Sequence, residues 1–147
     1  MRLTIGSDHA GFAHKQVIAE HLRQQGHTVI DVGPQNADSV DYPDYAKAAC
    51  RAIIDGAADG GVLICGSGIG IAISANKIPG IRCALIYNQD TARLAKEHNN
   101  AQVVAIGARF IPVDQAIAMV DTWLAATFEA RHQRRLDKIH ALEAPTC

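Results

Sequence analysis

The segment Gly61-Val62-Leu63-Ile64-Cys65-Gly66-Ser67-Gly68-Ile69-Gly70 decides how this 147-residue chain folds. Its first five residues are a continuous apolar run, the pattern of a strand buried on both faces. Alternating glycines then allow a tight turn and close backbone approach. A helix follows to about Asn76. A strand that ends in a glycine turn and enters a helix is one βα unit.

The same unit recurs on either side. Upstream, residues 3–6 read as a strand and 11–25 as a helix, with Phe12, Val17, Ile18 and Leu22 at helical spacing. Gly26 is its C-terminal cap. Residues 28–32 form the second strand. A polar connection over 34–42 leads to Pro43, which suits a first helical turn, and to a helix over 45–55. Downstream, strands are predicted at 82–87 and 103–107, with helices at 90–97, 112–128 and 131–142. Five βα units with short links imply an α/β fold, a parallel sheet with helices on both faces and one extra C-terminal helix. No repeat or linker divides residues 1–147, which read as a single domain with a frayed tail from about 143. Ligands in such sheets bind beyond the carboxyl ends of the strands. That edge takes Ser7-Asp8-His9, Cys65 to Gly70, and Gly107-Ala108-Arg109.

Composition removes several function classes. Apolar residues are 48%, charged residues 20% and the net charge is -1, so no broad basic surface exists for nucleic acid. No run approaches the roughly 18 apolar residues of a membrane span. The N-terminus reads as a strand, not a signal peptide, which points to the cytoplasm and to reduced thiols. Cys50, Cys65, Cys83 and Cys147 show no metal-binding spacing. Cys50 is expected in the core, Cys83 in a strand and Cys147 in the tail.

The glycine loop excludes two nucleotide motifs. No GxxxxGK[ST] is present, and Ile71 stands where GxGxxG needs its third glycine. Tyr87-Asn88 ends the next strand, where a ribose-binding acid would be required. The loop can still bind an anion or a developing oxyanion through the helix N-terminus. Cys65 is either a small apolar strand end or a thiol made reactive by that helix start. Asp8 is either a cap for the first helix or, with His9, a polar contact to a ligand. His98, before Asn99, is either a helix-dipole partner or a proton donor and acceptor. His14, His21 and His27 read as structural or solvated. Arg131 and Arg135, four residues apart, form a solvated basic face or a phosphate clamp, with Arg109 as a third charge.

Taken in order, Gly6-Ser7-Asp8-His9-Ala10-Gly11, Asp41-Tyr42-Pro43-Asp44-Tyr45, Cys65 to Gly70, Ala75-Asn76-Lys77 and His98-Asn99 closely resemble the B-type ribose-5-phosphate isomerase family, which extends to bacterial galactose-6-phosphate isomerase subunits. The resemblance spans about residues 1–142. It implies a Rossmann-like three-layer α/β/α sandwich with a five-stranded parallel sheet. It also implies a cofactor-free and metal-independent aldose–ketose isomerase, working as a homodimer or a dimer of dimers with active sites between subunits. By this resemblance Cys65 moves the proton beside the carbonyl. Ser67 and the amides of Gly66, Ser67, Gly68, Ile69 and Gly70 hold the cis-enediolate oxygens. His98 opens the sugar ring, assisted by Asp8 and Tyr42, and Asn99 binds a sugar oxygen. His9, Arg109, Arg131, His132 and Arg135 surround the phosphate. Another branch of the family uses a glutamate where Ile71 stands, so this chain is similar to the cysteine branch. Rival readings are a six-carbon sugar phosphate or rare sugar as substrate, a non-catalytic sugar-phosphate or nucleotide sensor, and a thiol redox protein. The last lacks a resolving cysteine at CxxC spacing.

Overall fold

The computed structural model describes residues 1–143, so Cys147 lies outside the described residues. The elements run β1 (Arg2–Ser7), α1 (Phe12–Gln24), β2 (Thr28–Gly33), α2 (Tyr42–Ile54), β3 (Gly60–Cys65), α3 (Ile69–Asn76), β4 (Cys83–Leu85), α4 (Gln89–Glu97), β5 (Val103–Gly107), α5 (Val113–Ala125), a 3₁₀ turn (Ala130–His132) and α6 (Gln133–Ala141). All strand pairs are parallel, and the sheet order is β2-β1-β3-β5-β4.

Side-chain alternation along the strands fills two cores. Val62 and Ile64 of β3, with Leu3, Ile5, Val104 and Ile106, face α1, α4 and α5. Leu63 and Cys65 point the other way, with Val103 and Ala105, toward α2 and α3. The central strand β3 is buried throughout, as its unbroken apolar sequence requires. Chain direction reverses around β1 and β3: β1 leads outward to β2, whereas β3 leads toward β4. The carboxyl ends of β1 and β3 therefore flank a crevice, the usual ligand position in such sheets.

Three boundaries differ from the sequence expectation. The fourth strand covers only Cys83–Leu85. Beyond it, the Tyr87 and Asn88 N–H groups both go to Thr91 Oγ1 and start α4 through a capping box with Asn88. Helix α5 stops at Ala125, where Ala126 turns extended, and the Glu129 N–H then bonds to the Glu97 carbonyl at 2.8 Å. Arg131 accordingly lies in the 3₁₀ turn, not in α6, so Arg131 and Arg135 are not successive turns of one helix.

A buried ion pair anchors α1. Lys15 is fully buried, and its ammonium lies 2.5 Å from Asp31 Oδ2 on β2 and 5.4 Å from the Phe12 ring centre. Asp31 Oδ1 accepts the Gly33 N–H at 2.9 Å. The pair fixes α1 against the sheet, and with it the turn at Asp8 and His9. Asp31 keeps 20% exposure, so removing Lys15 is expected at the low end of the about 3–5 kcal/mol that breaking a buried pair costs. Urea unfolding is expected to show a loss of that size for Lys15→Ala. Lys15→Met combined with Asp31→Asn should recover most of it, and equal losses in both variants would count against the pair.

Candidate active site

The site begins at the end of β3. Gly68 takes a left-handed conformation (φ +76°), and a Cβ there would sit 2.6 Å from Leu85 Cδ1 and 2.9 Å from the Gly107 nitrogen. Only glycine meets both conditions without strain. The turn aims the Gly68 N–H at Cys65 Sγ, 3.1 Å away. Cys65 is 3% exposed and stands before the first turn of α3, where backbone N–H groups have no helical partner. The Gly68 donor and the start of α3 hold the sulfur at the mouth of the turn. Ser67 Oγ accepts the Ile69 N–H at 3.2 Å, which tethers the hydroxyl at the same helix start.

Other predicted residues gather on this carboxyl edge. The Asp8 N–H bonds to the Ile64 carbonyl at 3.1 Å. Asp8 Oδ1 accepts the Gly11 N–H at 3.1 Å, closing the turn ahead of α1; the cap position itself belongs to Gly11. His9 Nδ1 accepts the Val40 N–H at 3.3 Å and ties this turn to the segment before α2. Tyr42, at the start of α2, lays its phenol against Gly70: a Cβ there would lie 2.6 Å from the hydroxyl oxygen. The Arg109 N–H bonds to the Gly66 carbonyl, and its guanidinium covers Gly66, with Nη1 3.0 Å from a Cβ built there. Asp8, His9, Tyr42, Cys65, the loop Gly66, Ser67, Gly68, Ile69, Gly70, and Arg109 thus share one edge.

His98, Asn99, Arg131, His132 and Arg135 lie elsewhere. His98 caps the C-terminus of α4, and α4 runs back toward the amino ends of the strands. The Gly61 N–H bonds to the Gln102 carbonyl, and Val103 pairs with Gly61 in the sheet. This level is four residues before Cys65, about 13 Å at roughly 3.3 Å per residue. Within one chain, Cys65 and His98 therefore stand on opposite edges of the sheet.

The amino-edge group has its own order. The His98 and His132 rings stack with centres 4.1 Å apart and planes tilted by 31°. Arg135 Nη1 lies 3.0 Å from His132 Nδ1. Arg131 binds the Glu129 carboxylate at 2.6 Å. Arg82 holds the Asn99 and Asn100 carbonyls at 2.8 and 3.0 Å. Burial pushes the His132 imidazole below its ordinary pKa, and Arg131, His98 and Arg135 push it the same way against Glu129. Sequence reasoning missed Glu129 and Arg82. Glu129 stands two residues before Arg131, which was a usable signal; the role of Arg82 depends on tertiary folding alone.

Two further cysteines are inert by position. Burial pushes the Cys50 thiol up to about 11, and pushes Cys83 up further with help from Cys50. The donor atoms of His98, Glu129 and His132 lie within 4.8 Å of one another. Arginine has no acceptor, so Arg135 requires His132 Nδ1 to accept and places the neutral ring's proton on Nε2. With that proton inside the cluster and two guanidiniums beside it, the group is set up for an anion, not a cation.

The family model Ribose/Galactose Isomerase matches residues 3–139. The chain belongs to this isomerase family. It is 42% identical to the ribose-5-phosphate isomerase B of Escherichia coli K12, over 97% of this chain and 96% of that relative. The solved structure of the Clostridium thermocellum ribose-5-phosphate isomerase B is 46% identical, with TM-score 0.96 over 97% of both chains. That of Mycoplasma genitalium, holding ribulose-5-phosphate, is 40% identical, with TM-score 0.94 over 99% of this chain and 97% of the other. The three-layer α/β fold expected from the sequence is the fold these proteins share. Among the described residues no helix is long and apolar enough to cross a membrane.

Titration of the histidine ring resonances should place the His132 midpoint below the ordinary value of about 6.5, and Arg131→Ala should raise it. A midpoint at or above the ordinary value would show that the neighbouring cations do not act on this ring.

Proposed function

We propose that the protein interconverts D-ribose 5-phosphate and D-ribulose 5-phosphate through a cis-enediolate. The observation that carries this reading is the Cys65 thiol, held under the Gly68 N–H at the mouth of a glycine turn. Its membership of an isomerase family, and ribulose-5-phosphate in a relative 40% identical to it, support the substrate. Aldose–ketose isomerisation moves one proton between adjacent carbons and needs no electron sink. His98 donates a proton to the ring oxygen as the furanose opens. The Cys65 thiolate takes the proton from the carbon beside the carbonyl. The resulting charge on oxygen meets Ser67 and the first-turn amides of α3, the hydroxyl proton passes from one enediolate oxygen to the other, and the thiol returns its proton to the neighbouring carbon. One well-placed donor to such an oxyanion contributes about 3–4 kcal/mol, so the loop matters as much as the thiol. Asp8, Tyr42 and Asn99 contact the sugar hydroxyls. His9, Arg109, Arg131, His132 and Arg135 bind the phosphate, and no metal or cofactor enters.

The unit of catalysis in this reading is a homodimer. Cys65 and His98 are too far apart in one chain to serve the same substrate, so a second copy must bring its amino-edge group to the Cys65 edge. An exposed apolar surface supports such pairing. Ile69, Ile73, Leu85, Tyr87 and Phe110 are all exposed, and Phe110 is 74% accessible. They run from α3 across the edge strand β4, and Ile69, Leu85, Tyr87 and Phe110 border a cavity of about 190 Å³ that reaches Ser67. Patches of this kind on a lone chain mark interfaces. The chain acts as one domain, and a reducing cytoplasm suits its dependence on a free Cys65.

Purified protein in deuterated water should place deuterium on the carbon beside the carbonyl of ribose 5-phosphate and form ribulose 5-phosphate. Cys65→Ala should lower kcat by about a hundredfold or more, the usual weight of a positioned base. Binding without exchange would leave a sensor in place of an enzyme. A higher kcat/KM on allose 6-phosphate or galactose 6-phosphate would reassign the substrate.

A further inference from the structure

The amino-edge cluster contains one carboxylate in a place where the proposed reaction needs an anion site. Glu129 binds Arg131 through Oε2, and the same oxygen lies 3.6 Å from His132 Nε2. His132 is 6% exposed, and its Nε2 is buried without a hydrogen-bond partner. Arg135 at Nδ1 makes that Nε2 a donor when the ring is neutral. An unsatisfied buried donor is costly, and it points at the oxygen that Arg131 already holds.

We propose that Glu129 is a built-in competitor of the substrate: its carboxylate occupies the seat between Arg131 and His132 that a phosphoryl group takes when the site fills. This rests on reading those two residues as phosphate ligands. The geometry allows the exchange. The Glu129 backbone is pinned to Glu97 through its N–H, so only the side chain has to move. That side chain is 39% exposed, and that of Arg131 is 66% exposed. A phosphate oxygen can approach His132 Nε2 to hydrogen-bond distance, which the carboxylate at 3.6 Å does not reach. The carboxylate keeps the guanidinium and the imidazole oriented and partly neutralised while the site is empty. It then weakens the hold on phosphate and eases product release.

The opposite role for Glu129, holding Arg131 in place for phosphate, gives the opposite sign. The test uses the full-length protein and inorganic phosphate as the probe. KM for ribose 5-phosphate and Ki for phosphate are measured at low salt in the parent, Glu129→Gln, Glu129→Ala and Arg131→Ala, with thermal unfolding as a check on folding. An exposed ion pair is worth about 0.2–1 kcal/mol. Both Glu129 variants are therefore expected to lower KM and Ki together by about 1.4- to fivefold, with the gain shrinking as salt is added. Arg131→Ala should raise both. Unchanged or raised values in both Glu129 variants, with Arg131→Ala still raising them, would overturn the competitor role and leave the phosphate assignment intact. If Arg131→Ala changes neither constant, the phosphate assignment fails and the competitor role fails with it.

Discussion

The left-handed turn at Gly68 joins the central strand to its helix in a space that admits no side chain. Leu85, Ile106 and Gly107 close around it, and a Cβ on Gly107 would itself lie 2.5 Å from the Ser67 carbonyl oxygen. Two backbones therefore meet without side chains between them at the carboxyl edge of β3 and β5. That contact keeps the turn tight, points the Gly68 N–H at Cys65 and presents the first turn of α3 to the crevice. Arg109 follows directly from the same strand end and covers Gly66. Most of the carboxyl-edge site is thus a consequence of one constrained junction.

The opposite edge obeys a different constraint. There, two stacked imidazoles are packed against Arg131 and Arg135, with Glu129 as the nearby carboxylate. Such a cluster is stable because burial and neighbouring cations keep His132 neutral. The backbone bond from Glu129 to Glu97 holds the 3₁₀ turn beside the end of α4, and so holds His132 over His98. In the proposed reaction this cluster, with Glu129 on Arg131, is the phosphate site. A thiol under a helix N-terminus belongs at a site of proton transfer from carbon. Neither edge holds both.

Much of this was legible in the sequence. The run Val62-Leu63-Ile64-Cys65 could only be a central strand, and the glycines after it marked the turn. Periodicity placed α1 and α2, because each buries one apolar stripe. The errors fall where polar side chains redirect the backbone. Thr91 and Asn88 ended the fourth strand early, and the Glu129–Glu97 bond ended α5 three residues before its apolar pattern did. Arg131 and Arg135 do fall in one cluster with His132, but their helical spacing was misleading, since Arg131 lies in a 3₁₀ turn ahead of α6. No sequence signal revealed that Cys65 and His98 lie at opposite ends of parallel strands. That follows once the direction of α4 is known, and the second copy rests on family resemblance.

The division of the site between two copies is the central claim, and subunit mixing tests it most directly. Cys65→Ala and His98→Ala proteins, each nearly inactive, are combined and allowed to exchange subunits, with exchange verified independently by mass labelling. A divided site predicts that mixed dimers carry one intact site and one doubly defective site. In a fully exchanged equal mixture half of the dimers are mixed, so activity should recover to about a quarter of the parent's, provided the subunits pair at random. No recovery after verified exchange would contradict it, and would place Cys65 and His98 in service of different substrates or of none.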